Sequence, residues 1–371
     1  MFDKRLKQLA DQLITYSVSL KAGEHVLITS APAGAPLVKE LVRSAYAVGA
    51  YPHVQLSDPE ISKEIMLGLQ PEQAAAMIRY DHGRVEEMDA TISVGATLNP
   101  YEDAAVPREK REVMRLAGVE QEKIKKKKEI SRWSVCIYPT AYYANCAGMS
   151  LDDFEDYYFS VCCMDYRRFG EAMEKLRALL EKADQVRIEA PGTELAFSIK
   201  GINKRVSAGD RNVPDGEVYT APVRESINGK VAFNVPSLFQ GKRFENISLV
   251  FRDGKAVEAH GAPEKALNDI LDTDPGARYT GEFAFGVNPR LDVPIGLTLF
   301  DEKINGSFHI AMGNGLDVVD NGNRSAIHWD LVSMHTPEMG GGSIYVDGIL
   351  IRKDGRFVLP ELEELNGGGR F

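Results

Sequence analysis

In the first half of the chain, short apolar runs alternate with amphipathic stretches. The segment "HVLIT" (25–29) is a short apolar run, as expected for a buried strand. The segments "YPHVQL" (51–56) and "DATISVGA" (89–96) are predicted to be further strands. Residues 36–50 begin with a proline and place their leucines and valines on one helical face. This alternation predicts an α/β N-terminal domain with a mainly parallel sheet.

The pattern changes after a proline-free helical stretch that runs from about residue 151 to 182. From Gln185 onward, short alternating segments are separated by Gly, Asn, Asp and Pro. Asp-Gly pairs in "VFRDGKAVEAHG" and "SIYVDGILIRKDGRFV" are typical of tight hairpins, and "APEKALNDIL" has the pattern of one amphipathic helix. We therefore predict an α/β domain over 1–184 and a β-rich α+β domain over 185–371.

The composition and net charge of the chain indicate a globular protein and exclude some classes of binding partner. The chain has 371 residues, of which 44% are hydrophobic and 26% charged, and this is typical of globular domains. A net charge of −10 argues against non-specific nucleic-acid binding, and the basic run "KIKKKKE" (123–129) is typical of a solvated helical face. No apolar run approaches the roughly 18 residues of a membrane span. Four cysteines without C-x-x-C spacing indicate reduced thiols. We expect a cytoplasmic protein with no nucleic-acid or membrane partner.

The segment "SAIHWDLV" contains the first candidate for chemistry. His328 and Asp330 are two residues apart, so in an extended strand their side chains point to the same face. This arrangement suits metal ligation, or a histidine that is oriented by a carboxylate. By itself, however, the pair is more typical of two polar side chains at the end of a surface strand.

Three further residues share the context of that pair, because each begins or ends a short apolar strand beside a glycine. They are Glu217 in "PDGEVYTAP", Glu282 in "YTGEFAFGVN" and His309 in "GSFHIAMGNG". Three carboxylates, two neutral imidazoles, two divalent cations and one hydroxide together carry no net charge, which is reasonable for a dinuclear site. A single zinc ion usually takes about four ligands in all, so five residues favour two ions.

Taken in order, these motifs resemble those of the M29 metalloaminopeptidases, the thermophilic aminopeptidase family. The family patterns P-x-x-E-V-x-T-x-P, G-E, F-D-E-x…H-I-A-x-G and I-H-x-D are matched by "PDGEVYTAP", "TGEFAFG", "FDEKINGSFHIAMG" and "AIHWD". The spacings of 65, 27 and 19 residues follow the family except in the last gap, which is shorter. The resemblance covers most of the chain.

The resemblance implies a function and a set of site residues in the C-terminal domain. The implied metal ligands are Glu217, Glu282, His309, His328 and Asp330, and they would hold two divalent ions of zinc, cobalt or manganese. Glu282 would bridge the ions and act as the catalytic proton acceptor. The implied activity is removal of N-terminal residues from small peptides, and the implied assembly is a homodimer.

One family feature is missing from this sequence. The family has a tyrosine seven residues after the first ligand histidine, where this chain has Leu316. A tyrosine hydroxyl can donate a hydrogen bond to a developing oxyanion. Tyr219 and Tyr345 are the candidates to replace it.

This difference leaves a second interpretation open. The chain is also similar to the dihydroxypyridine dioxygenases, which use mononuclear non-haem iron. His309, His328 and Asp330 can form the two-histidine, one-carboxylate triad of such enzymes, and Glu217 and Glu282 would then bind no metal. The presence of both glutamates in family context favours the dinuclear hydrolase.

Overall fold

The computed structural model describes residues 3–107, 109–111, 113, 132–367 and 371. The basic run 123–129 lies outside the described residues. The chain forms two compact units. The first contains the residues up to Cys163 together with Gly209–Val213, and the second contains Met164–Ala208 and Pro214–Phe371.

The described elements are numbered in chain order. The helices are α1 (Lys4–Gln12), α2 (Ala35–Ala47), α3 (Pro59–Gly68), α4 (Pro71–Glu86), α5 (Ala141–Cys146), α6 (Leu151–Cys162), α7 (Tyr166–Glu181), α8 (Glu264–Leu271) and α9 (Thr298–Asp301). The strands are β1 (His25–Ser30), β2 (Tyr51–Leu56), β3 (Ala90–Gly95), β4 (Trp133–Ile137), β5 (Gln185–Ala190), β6 (Thr193–Ser198), β7 (Arg205–Ser207), β8 (Asn212–Val213), β9 (Glu217–Thr220), β10 (Asn228–Phe233), β11 (Ser237–Phe239), β12 (Lys242–Arg252), β13 (Lys255–Ala262), β14 (Thr280–Gly286), β15 (Ser307–Gly313), β16 (His328–Met334), β17 (Ser343–Val346), β18 (Ile349–Lys353) and β19 (Arg356–Phe357).

The first unit is built on a parallel sheet with the strand order β2-β1-β3-β4-β8. The apolar centre of β1 is buried, and the helix α2 packs its apolar face on β1 and β2. The predicted α/β domain with a mainly parallel sheet is confirmed. The four cysteines are free thiols, as predicted. In the described part of the chain, no helix has the length and apolar character needed to cross a membrane.

The helical stretch predicted for residues 151–182 is two helices, α6 and α7. The helical conformation is interrupted between them, and the Asp165 side chain caps the second helix by accepting a hydrogen bond from the Arg168 amide. The apolar face of α7 packs on β7, β9 and a 3₁₀ helix at Pro360–Asn366, all in the second unit. The change between units therefore comes after Cys163, earlier than the predicted boundary near 184.

The second unit is rich in antiparallel sheet. One sheet has the order β11-β12-β10-β6-β5-β17-β18-β19, with β13 paired to β12, and the other has the order β16-β15-β14-β9-β7. Its predicted hairpin turns have aspartate at φ 46 to 49° followed by glycine at φ 78 to 83°, at Asp253–Gly254, Asp347–Gly348 and Asp354–Gly355. Two successive residues with positive φ match the twist of a tight hairpin. The β-rich domain and its helix α8 are confirmed.

Candidate metal centre

The five candidate residues lie on one face of the sheet β16-β15-β14-β9-β7. Residues paired across a ladder share a face, as do residues two apart along a strand. Each has a glycine or alanine partner across one ladder, and the pairs are Glu217–Gly286, Glu282–Ala311, His309–Ala284, Asp330–Ala311 and His328–Gly313. Because glycine and alanine leave space above the sheet, the longer side chains can converge there.

His309 is at the centre of the group and is 1% exposed. Its Nε2 atom lies 3.5 Å from Glu217 Oε2, 3.7 Å from Glu282 Oε1 and 4.0 Å from Asp330 Oδ1. His328 lies nearer to solvent, with its Nε2 atom 3.3 Å from Glu282 Oε2 and 3.4 Å from Asp330 Oδ1. The two oxygens of Glu282 therefore face different histidines.

Both imidazole rings are held by their other nitrogen. His309 Nδ1 donates to the carbonyl of Glu302 at 3.0 Å, and His328 Nδ1 donates to the carbonyl of Asn314 at 2.8 Å. Because a carbonyl oxygen only accepts, each Nδ1 atom carries a proton, and the Nε2 atoms face the carboxylates. Such outer hydrogen bonds are typical of histidines that bind metals.

Burial and mutual proximity shift the ionisation of these groups in the cation-free protein. Burial raises the pKa of Glu217 to about 8, against the attraction of Lys303 and His309. Burial also opposes ionisation of Glu282 and Asp330, but the neighbouring imidazoles outweigh it and hold the pKa of both carboxyls below the usual range. The same carboxylates overcome burial and raise the pKa of His309 to about 9 and that of His328 still further. Protons on the imidazoles thus balance negative charge that a cation would otherwise neutralise.

The donor geometry fits divalent cations. Glu217, Glu282 and His309 form one group, and Glu282, His328 and Asp330 form another, with the donor atoms of each group within 4.8 Å of one another. Glu217 Oε2 is buried and has no hydrogen-bond partner among the described residues. A buried carboxylate oxygen without a donor is costly, and a cation bound beside it would remove that cost. Oxygen and imidazole donors suit zinc, cobalt or manganese.

The structure adds three charged residues that sequence reasoning did not select. Lys303 Nζ lies 2.6 Å from Glu217 Oε1 and 2.9 Å from Glu302 Oε1, with Asp215 Oδ1 at 3.9 Å. All are buried. Glu302 and Lys303 belong to the segment "FDEK" just before His309, and their position beside a candidate ligand was the available signal. The charge balance predicted from five residues was therefore incomplete.

The two tyrosines proposed to replace the family tyrosine lie in different places. Tyr219 and His309 flank Ala284 on adjacent strands, so Tyr219 shares the face of the candidate ligands. Burial, followed by the charges of Glu217 and Glu282, raises the pKa of its hydroxyl. Tyr345 lies in the other sheet, with its ring 4.0 Å from the guanidinium carbon of Arg187. Only Tyr219 therefore has the placement expected of the replacement.

The sequence profile of the family described as thermophilic metalloprotease (M29) matches this chain over residues 2–357. The chain belongs to the thermophilic metalloprotease family M29. The resemblance drawn from the four ordered motifs is thereby confirmed. Membership of this M29 metalloprotease family implies divalent metal ions, in agreement with the two donor groups.

Characterised relatives cover nearly the whole of this M29 chain. It is 24% identical to aminopeptidase 2 of Geobacillus stearothermophilus, with 96% of each chain covered. It is 27% identical to aminopeptidase T of Thermus thermophilus, with 96% of this chain and 99% of that protein covered. The structure of wild-type AmpT from Thermus thermophilus superposes with a TM-score of 0.82 at 23% identity, covering 97% of this chain and 100% of the other. The fold is therefore that of this structure.

Proposed function

We propose that this protein is a metal-dependent aminopeptidase that removes N-terminal residues from small peptides through a dinuclear metal site. The observation that carries the proposal is the convergence of five buried or half-buried donors into two groups that share Glu282. The M29 relatives named aminopeptidase 2 and aminopeptidase T support the substrate class. The proposed ligands are Glu217, Glu282, His309, His328 and Asp330.

Two side chains of the site, Glu282 and Tyr219, are assigned different roles in the proposed hydrolysis. Divalent ions bound at this site would act as Lewis acids and would lower the pKa of a bound water molecule to about 7. Glu282 is placed to accept a proton and pass it on, because its two oxygens face both donor groups. Tyr219, on the same face, is placed to donate a hydrogen bond to the carbonyl oxygen of the scissile peptide as negative charge develops on it. Burial of the surrounding strands lowers the local dielectric and strengthens each of these interactions.

The ring-cleaving dioxygenase is not favoured. A mononuclear iron triad needs only two histidines and one carboxylate. Here Glu217 and Glu282 are 6% and 3% exposed and lie within 3.7 Å of His309 Nε2. Lys303 compensates only one oxygen of Glu217, and Glu217 Oε2 has no hydrogen-bond partner among the described residues. Burying the remaining carboxylate oxygens without a further cation would be costly, so their placement supports a site with a larger positive charge.

The test uses two leucine anilides that differ only at the amino terminus. Leucine p-nitroanilide should be hydrolysed, and N-acetyl-leucine p-nitroanilide should not, because an aminopeptidase requires the free amine. Treatment with a chelator should abolish hydrolysis, and zinc, cobalt or manganese should restore it. Equal cleavage of both anilides, full activity after chelation, or oxygen uptake with an aromatic diol would contradict the proposal.

The homodimer also remains a proposal, supported by the resemblance. Size-exclusion chromatography with light scattering should give about twice the chain mass of 41.0 kDa. A mass of a single chain at micromolar concentration would contradict it.

A further inference from the structure

A buried ammonium group shares a carboxylate with the proposed metal site. The Lys303 side chain is 2% exposed, and its Nζ atom binds Glu217 Oε1 at 2.6 Å. The other oxygen of Glu217 is the one that lies 3.5 Å from His309 Nε2. One oxygen of Glu217 thus faces the Lys303 ammonium group, and the other faces the proposed ligand His309.

The backbone fixes this lysine in place. Its amide donates to the carbonyl of Phe300 at 2.9 Å, and its carbonyl accepts from the amide of Asn288 at 3.0 Å. The turn approaches the sheet at Gly286, where an added Cβ would lie 2.4 Å from the carbonyl oxygen of Ile304 and 3.0 Å from that of Glu302. Only glycine allows so close an approach at this point. The position of Lys303 is therefore built into the fold.

The same turn is connected to the proposed site through a second residue. Glu302 pairs with Lys303 through its side chain at 2.9 Å and orients His309 through its carbonyl at 3.0 Å. Both connections lead to Glu217 and His309, which belong to one donor group. The ion pairs of Lys303 are with Asp215, Glu217 and Glu302, and none of these belongs to the other donor group.

The charges at the site make this lysine a competitor of a metal ion. Glu217, Glu282, Asp330, Glu302 and Asp215 carry five negative charges when ionised, and Lys303 carries one positive charge. An ion beside Glu217 would share its carboxylate with Lys303 and would be repelled by the ammonium group. Among the described residues, neither Glu282 nor Asp330 forms an ion pair with a lysine or an arginine, so an ion held by Glu282, His328 and Asp330 shares no carboxylate with an ammonium group.

We propose that Lys303 makes the two metal positions unequal: it withholds one oxygen of Glu217, so that the Glu282–His328–Asp330 position fills first and the Glu217–Glu282–His309 position fills second with lower affinity. Lys303 acts here as a positioning residue, without touching substrate. This inference rests on the proposed dinuclear function and adds to it an order of filling.

The first experiment uses the unaltered protein. Chelator-stripped protein is titrated with Mn²⁺ by calorimetry, and the electron paramagnetic resonance of bound Mn²⁺ is followed. We expect a tight step and a weaker step that differ at least about tenfold in Kd, with the isolated-ion signal decreasing as the second ion couples to the first. His328→Ala should remove the tight step, and His309→Ala should remove the weak step.

The second experiment changes the lysine. Lys303→Met leaves an unbranched side chain one atom shorter than lysine and removes its charge, so the second step should tighten at least about tenfold while the first changes little. Lys175→Met is the matched control, because Lys175 also pairs with a glutamate, at 3.3 Å from Glu364 Oε2, but is exposed. Both of its steps should match those of the unaltered protein.

The outcomes separate this inference from the proposed function. If the unaltered protein binds two Mn²⁺ ions with equal affinity, the inference fails while the dinuclear site stands, whether or not Lys303→Met folds. An unchanged or lost second step in folded Lys303→Met also overturns it. If the unaltered protein binds no divalent ion and shows no chelator-sensitive hydrolysis, the proposed function itself fails.

Discussion

Replacing Glu282 by glutamine should remove both metal ions, because Glu282 belongs to both donor groups. Its Oε1 atom faces His309 Nε2 at 3.7 Å and its Oε2 atom faces His328 Nε2 at 3.3 Å. Glutamine keeps the size of the side chain but removes the charge. Glu217→Gln is the comparison, because Glu217 belongs to one group only and its replacement should weaken one ion.

The size of the effect follows from the contribution of one ligand. A structural zinc site with four ligands has an apparent binding free energy of about 10–16 kcal/mol, or about 3 kcal/mol for each ligand. A loss of about 3 kcal/mol raises Kd about 10²-fold. Glu282→Gln should therefore raise Kd about 10²-fold for each ion, whereas Glu217→Gln should do so for one.

Metal content is measured by mass spectrometry after dialysis against buffered zinc, and the hydrolysis of leucine p-nitroanilide is measured in parallel. We expect about two ions in the unaltered protein, about one in Glu217→Gln and fewer than one in Glu282→Gln. Activity should fall at least about 10³-fold in Glu282→Gln, since Lewis acid and proton acceptor are both impaired. Two ions retained by Glu282→Gln, or a greater loss from Glu217→Gln than from Glu282→Gln, would refute the assignment of Glu282 as the shared ligand.

Three further outcomes are expected. Tyr219→Phe should lower kcat about 10²-fold with metal content unchanged; an unchanged kcat would exclude Tyr219 as the hydrogen-bond donor. At pH 7, metal binding should release about three protons, from Glu217, His309 and His328, because their pKa values are raised above 7; calorimetry in buffers of different ionisation enthalpy measures this release, and the absence of any proton release would contradict the shifts. Burial, then Arg352, lowers the pKa of His335 from 6.5 to about 4, so the unfolded state binds more protons between those values and the free energy of unfolding should fall by about 3 kcal/mol as pH decreases through this window. Chemical denaturation, with a chelator present, should show that the free energy of unfolding of His335→Phe falls by about 3 kcal/mol less than that of the unaltered protein over this pH window. The same pH dependence in both proteins would contradict the assignment to His335.

Local signals were sufficient for most secondary-structure elements. A strand buried on both faces, such as β1, must be apolar along its length, so "HVLIT" identified it. Aspartate followed by glycine adopts two positive φ angles at low cost, so the hairpin at Asp253–Gly254 was visible without its partners. By contrast, the interruption between α6 and α7 was not predicted, because the capping residue Asp165 lies within a continuous helical pattern.

The division between the two units required the tertiary structure. Helix α7 is amphipathic, and its sequence pattern predicts that one face is buried. The pattern does not indicate which sheet covers that face. Packing on β7 and β9 assigns it to the second unit, whereas Gly209–Val213 returns to the first. The predicted boundary near 184 was displaced because such contacts join segments that are distant in the chain.

For the site, the sequence by itself determined the chemical types and order of the five candidate ligands, since each occurs in a short motif that can be recognised without its partners. Only the tertiary structure decided that Glu282 faces both histidines and that Lys303 binds Glu217. A lysine in "FDEK" looks like a surface residue, because isolated charges are seldom buried. It becomes part of the site when β9, remote in sequence, places a carboxylate 2.6 Å from its ammonium group. Burial then strengthens that interaction, and neither the burial nor the partner can be read from the residues on either side of Lys303.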